Sequence, residues 1–323
     1  MKRLVALLTS VAIIVAAVVV GRWIADTGGP DRSSDRGATG DPTRGANTLV
    51  CAGELGDVCD RLAKEAPATV EVRKETASTT LESLAKGHVT FGAWLTPTLW
   101  LDLNGRSGGA VLKRVTTIAS SELEVTLTTA RLAALKDRCP GGIDGRCLLD
   151  AIGRPFDELG VVGDPRVAVW GVPPEDTAAG LLAVAALTSG WGLPKGWDGT
   201  DFDANDELST AFTTARDSLR SNPDPVFNMI RVPTFQATIA VAANGPGVFD
   251  PADRGRYRSA PLSPRRAVQV SIAATAADTG SPAAAFAHNR AAALLKDRGW
   301  RVPPGPINAG EPSAATLKAI IGS

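Results

Sequence analysis

Apolar residues between positions 47 and 297 recur with two periods that take turns along the chain. Strand-like stretches, alternating or continuously apolar, are Asn47 to Gly53, Ala68 to Lys74, His88 to Leu95, Val115 to Thr128, Val167 to Val172 and Ala267 to Ala274. A further strand lies within Phe227 to Ala243, preceded by a helix or turn. Between them come segments of helical spacing. Leu55, Val58, Cys59 and Leu62 repeat in that way, and so do stretches in Thr80 to Gly87, Arg131 to Lys136, Leu148 to Gly153, Glu207 to Leu219 and Ser281 to Asp297. Strands that alternate with helices predict an α/β architecture. Ser120-Ser121 interrupts the Val115 to Thr128 pattern, and the bend expected there is where the chain would first cross between two lobes. Asn244 to Ser259 reads as a loop.

Arg166 to Ser189 changes period in mid-course. Val167 to Val172 is β-rich, and Pro173-Pro174 stops it. Glu175, Asp176 and Thr177 follow, then the apolar run Ala178 to Leu187, so Asp176 or Thr177 is the expected N-cap. The product is a strand, a turn and the N-terminus of a helix. Such an end has unpaired N–H groups and the positive pole of the helix dipole, so it can hold a ligand oxygen. Capping is the commoner role of these residue types.

The N-terminus is of a different kind. Lys2 and Arg3 precede the apolar run Leu4 to Val20, which Gly21, Arg22 and Trp23 close. It is long for a signal peptide and lacks a clean cleavage pattern, so residues 1–25 read as an uncleaved transmembrane signal anchor with the body exported. A cleaved signal peptide is the alternative. Residues 26–46, rich in Gly, Asp, Arg, Ser and Pro, read as a flexible linker. With 323 residues, 44% hydrophobic, the chain can bury a sizeable core. Lys plus Arg equals Asp plus Glu at 34 each, which gives no bulk positive field for nucleic acid. Four cysteines in an exported chain point to disulfides. Cys51 with Cys59 and Cys139 with Cys147 are the locally closed pairs, one of three possible connectivities.

Strand, then Asp-Thr-Ala-Ala-Gly, then an Ala/Leu helix resembles the extracellular solute-binding proteins of the type 2 periplasmic-binding fold. Three further stretches resemble that family: the opening strand and turn at Asn47 to Glu54, the Phe227 to Ala243 strand, and the terminal helix that ends in RGWRVPPGP. The resemblance implies a two-lobed α/β fold with a hinge. Residues 47–127 plus 263–323 would form lobe 1, and 128–262 lobe 2. It also implies a ligand cleft, to which Gly53 and Glu54 after the first strand and Asp176 and Thr177 before the helix would contribute. Ser78, Thr79, Trp94 and Thr96 would serve at strand ends of the first lobe, Ser120 and Ser121 at the crossover, and Thr234 and Gln236 before the later strand. Each of these has an ordinary structural role as well, in capping, turns or the core.

Catalytic signatures are missing. There is no G-x-S-x-G, no H-E-x-x-H and no P-loop, and His88 and His288 are the only histidines. Glu122 and Glu124 share a strand face, which by itself gives no chemistry. Asp198, Asp201, Asp203 and Asp206 do not match an EF-hand loop, so no metal or cofactor is expected. The expected function is extracytoplasmic capture of a small polar solute by hinge closure, for uptake through an ABC-type permease. A sugar or polyol is slightly favoured, with oxyanions and amines as alternatives. The other class is a membrane-anchored sensor or interaction module that keeps the fold without transport.

Overall fold

A computed structural model describes residues 45–106, 112–194, 197, 199–232, 235–244, 255–275 and 280–305. The apolar run Leu4 to Val20, the linker as far as Arg44, Thr234 and Asp198 lie outside them. Among the described residues no helix is long and apolar enough to cross a membrane.

In chain order the elements are β1 (Thr48–Ala52), α1 (Asp57–Glu65), β2 (Glu71–Glu75), α2 (Ala77–Ala85), β3 (Ala93–Pro97), α3 (Thr98–Arg106) and β4 (Leu112–Thr128). Then come α4 (Thr129–Arg138), α5 (Gly145–Ala151), β5 (Val169–Val172), α6 (Ala178–Leu187), α7 (Gly199–Asp203), α8 (Asp206–Arg216) and β6 (Leu219–Ser221). The chain continues with α9 (Pro225–Arg231), β7 (Phe235–Val241), β8 (Tyr257–Pro261), β9 (Ala267–Thr275) and α10 (Pro282–Asp297). The strands run β2-β1-β3-β9-β4-β7-β5-β6, with β8 beside β4.

Strand β4 joins the two halves of this order. Its 17 residues pair antiparallel with β9 from Leu112 to Glu122. Beyond that, Leu123 to Thr126 pair with β7 and Glu124 to Thr128 with β8. The bend expected at Ser120-Ser121 is absent, because both serines stay in the β9 ladder opposite Gln269 and Val268. Irregularities in that ladder fall earlier, between Leu112 and Arg114 and between Thr117 and Ala119.

Parallel pairing explains why the first strands lack a simple inside-outside alternation. Strand β1 pairs with β2 and β3 and is buried on both faces. Leu49 and Cys51 face one core with Leu62 of α1 and Leu294 of α10, whereas Val50 faces the other with Leu84 of α2. Helix α6 is apolar all round and is correspondingly enclosed, with Leu181, Leu182, Ala185 and Leu187 all buried.

Some boundaries differ from the sequence expectation. Strand β3 begins at Ala93 and runs on to Pro97, because its register is set by Leu49 opposite Ala93 and by β9 opposite Thr96 and Pro97. Strand β2 begins at Glu71 and lies at the sheet edge, partly exposed, where side-chain alternation says little about its ends. The expected loop before residue 259 already contains the start of β8, and β6 is a three-residue strand too short for a periodic signal.

Two disulfides are present, Cys51–Cys59 and Cys139–Cys147, with Cα separations of 5.7 and 6.0 Å. The first ties the end of β1 to α1. A buried ion pair anchors the segment before β5: Arg131 of α4 donates to Asp164 from Nε at 3.0 Å and Nη2 at 2.7 Å, with its guanidinium over the Phe156 ring. Arg131→Ala would leave Asp164 with Arg166 alone, whose Nε donates to Oδ1 at 2.6 Å, so it should cost about 1–3 kcal/mol in urea unfolding. At Gly180 an added Cβ would stand 1.9 Å from the Pro174 carbonyl oxygen, since α6 packs directly on the turn that precedes it. Gly180→Ala should therefore lower stability by about 1–3 kcal/mol, measurable in the same assay.

Candidate functional site

Burial of α6 has a consequence at its first turn. Thr177 is the N-cap: its Oγ1 accepts from Gly180 N at 3.1 Å and donates to the Pro174 carbonyl at 2.6 Å. Leu181 N reaches the Thr177 carbonyl, the first helical bond. Of the remaining first-turn amides, that of Ala178 donates to Glu54 Oε2 at 2.8 Å, and Ala179 lines the cleft described below. Glu54 stands on the single 3-10 turn Gly53–Leu55 that follows β1. Its Oε1 accepts from Trp100 Nε1 of α3 at 2.5 Å. One carboxylate thus joins the turn after β1, helix α3 and the start of α6.

Beside it opens a cleft of about 530 Å³. One wall is Gly53 to Val58, with Pro97 at the end of β3. The other is the Pro173-Pro174 turn with Thr177, and Pro223 to Phe227 at the start of α9. Ala240 and Val241 of β7, Val268 of β9 and Trp300 complete a largely apolar lining. Its charged side chains are Glu54, Asp57, Asp224 and Arg298, of which Arg298 pairs with Asp57.

Of the residues expected at a site, Gly53, Glu54 and Thr177 line this cleft. The Thr177 hydroxyl is spent on capping. Asp176 is exposed on the turn beside Glu54 and acts on its charge. Ser78 and Thr79 are exposed at the start of α2, where both hydroxyls contact the N-cap Thr76. Trp94 and Thr96 are wholly buried in β3. Ser120 Oγ accepts from Gly305 N at 3.1 Å and Ser121 Oγ from Ala243 N at 2.9 Å. Both serines line a second, smaller cavity of about 290 Å³ with Glu122, Glu124 and Arg301. Gln236 is half-buried in β7, its Oε1 without a donor among the described residues.

Asp57, Asp224, Arg298 and Trp300 line the cleft without having been expected at a site, and Trp100 is buried behind Glu54. Asp57 and Asp224 were visible only as acids at helix starts, and nothing in the pattern placed Trp100 against Glu54. Among the described residues no three His, Cys, Asp or Glu side chains converge as a metal site would require.

No protein-family model matches this sequence, and no curated protein matches it. Solved structures do. Iron-bound HitA from Pseudomonas aeruginosa aligns with a TM-score of 0.52 at 11% identity, over 83% of this chain and 90% of that one. A Bordetella parapertussis protein described as an extracellular solute-binding protein aligns at 0.50 with 9% identity, over 79% and 85%. At these identities the likeness is one of fold. The chain has the mixed α/β fold of the periplasmic and extracellular solute-binding proteins, type 2.

Enclosure among protein atoms pushes the Glu54 carboxyl up from 4.5 to about 7; the bonds from Trp100 and Ala178 oppose the shift, and nearby Asp176 adds to it. Asp57, Arg298 and Asp224 are the other charges on the same cleft. The folded state holds this proton more tightly than the unfolded chain. Its contribution to stability is therefore full below about pH 4.5 and is lost as pH rises to about 7, by up to about 3 kcal/mol. Glu124, also raised by burial, acts in the same direction. Unfolding free energy measured against pH should fall across that window in the natural protein and fall less in Glu54→Gln.

Proposed function

We propose that this chain is an extracytoplasmic solute-binding protein that captures a small ligand in the cleft beside Glu54. The observation that carries the reading is the Glu54 to Ala178 hydrogen bond. It links the turn after the first strand to a helix start far along the chain, with the open cleft alongside. Residues 47–127 with 263–323 would act as one lobe and 128–262 as the other, with β4 and β9 as the connection about which they close. A ligand that touches both walls stabilises the closed form only as far as it binds that form better.

HitA in the matched structure is iron-bound. The cleft here differs in kind, since most of its lining is carbon and its carboxylates stand at separate helix starts. A small organic solute with polar groups at one end suits it better. The Leu4 to Val20 run would hold the domain at the outer membrane surface, where a permease of the ABC type is the natural partner. No enzymatic step is assigned to the cleft.

A second reading draws on the same contact. Glu54 satisfies the Ala178 amide from within the chain, an arrangement that would also suit an anchored sensor or interaction module that stays closed. Thermal unfolding of the purified protein against sugars, polyols, amino acids, amines and oxyanions separates the two. A solute at about a hundred times its Kd adds roughly 2.7 kcal/mol and raises Tm visibly. One responding chemical class establishes solute capture, whereas a flat response across the panel favours the module.

A further inference from the structure

Carboxylates stand at all three helix starts that border the cleft. Glu54 accepts from Ala178 N at the start of α6, Asp57 is the first residue of α1, and Asp224 is the N-cap residue of α9. The only cation lining the cleft among the described residues is Arg298, which is already paired with Asp57. A buried helix start with open N–H groups attracts an anion. At α6 the Ala178 amide is taken from within, by Glu54.

An anionic solute seeking the Ala178 amide would have to expel the Glu54 carboxylate from two short hydrogen bonds, at 2.5 and 2.8 Å, and anywhere at this end of the cleft it would meet the charge of Glu54 itself, with Asp176 and Asp224 nearby. A solute with a positive or N–H-bearing end meets the opposite situation. A carboxylate has about four lone-pair positions, and the two bonds to Glu54 use two of them. The residue stays partly open to the cleft. Trp300, Pro173 and Pro225 offer carbon surface for the rest of such a molecule.

Resting on the reading of this cleft as a solute site, we propose that Glu54 is its charge filter. It serves α6 as a built-in counter-anion, bars anionic solutes, and turns its free lone pairs to an organic amine. Removing the side chain should reverse the preference, because Ala178 N and Trp100 Nε1 then lose their shared acceptor and the space that Glu54 held beside the cleft can admit a small carboxylate.

The test is Tm of the full chain at about pH 8, where the Glu54 carboxyl is ionised and a primary amine is still protonated, natural and as Glu54→Ala and Glu54→Gln, against a panel of primary amines and the carboxylates of matched shape. Benzylamine with benzoate is one pair, formate is included, and sodium chloride at equal ionic strength is the control. The natural protein should respond to amines and not to carboxylates beyond the chloride control. In Glu54→Ala, formate and benzoate should raise Tm saturably and the amine response should vanish. Glu54→Gln keeps the shape without the charge, and should lose the amine response and gain no carboxylate response.

The proposal is overturned if carboxylates raise the Tm of the natural protein as much as their matched amines do, or if Glu54→Ala takes no carboxylate. If no solute shifts the natural protein while formate still stabilises Glu54→Ala, the filter stands and the solute-binding reading falls. Should Glu54→Ala not fold, Glu54→Gln decides: a lost amine response supports the filter and an unchanged one overturns it.

Discussion

A buried amide at a helix start needs an acceptor, and the cleft lies beside the place where that is resolved for Ala178 of α6. Ala178 to Leu187 carry almost nothing polar, so the fold encloses the helix and its start with it. Thr177 serves one amide from within the local sequence. Serving Ala178 takes a group from a distant part of the chain, and Glu54 comes to it from the turn after β1. An unsatisfied buried amide would cost about 1–3 kcal/mol, which sets the scale of what this contact prevents. The carboxylate in turn is held at a desolvation cost that raises its proton affinity, so the two groups are each other's compensation.

The second constraint is the length of β4. A strand of 17 residues has more backbone hydrogen-bonding capacity on one edge than β9 alone can use. After Glu122 that edge passes to β8, while β7 takes the opposite edge. The C-terminal segment crosses at the same level: Ser120 and Arg301 exchange backbone bonds, and Ser120 Oγ holds Gly305 N. The serines that the sequence offered as ligand donors each accept a backbone N–H, Ser120 from Gly305 and Ser121 from Ala243. Their oxygens hold the crossing segments together at this level of the sheet.

Charge is distributed unevenly between surface and cleft. Over the whole chain the formal charges cancel, yet the cleft gathers three acids and one already paired base. Exposed pairs such as Arg138 with Asp150 contribute little to stability because water screens them. Glu54 differs because most of it is enclosed among protein atoms, so a change in its charge state is felt at the start of α6.

Local sequence determined much of this molecule. The capped apolar helix Ala178 to Leu187, the paired cysteines eight residues apart, the helix Pro282–Asp297 and most strands were legible, because each depends on period, capping and turn chemistry within a few residues. The order of strands and helices carried the resemblance to the solute-binding fold for the same reason. Glu54 was visible as an acid after a strand, in balance between a dipole partner and a ligand contact. The tertiary structure alone decided what it does, by bringing Trp100 and Ala178 to its two oxygens. It also removed Trp94 and Thr96 to the core, and assigned Ser120 and Ser121 to backbone donors, through pairings such as Thr96 with Ser271 and Ser121 with Val268. A side chain's partners are set by which segments the sheet order makes neighbours, and that order is a property of the whole chain.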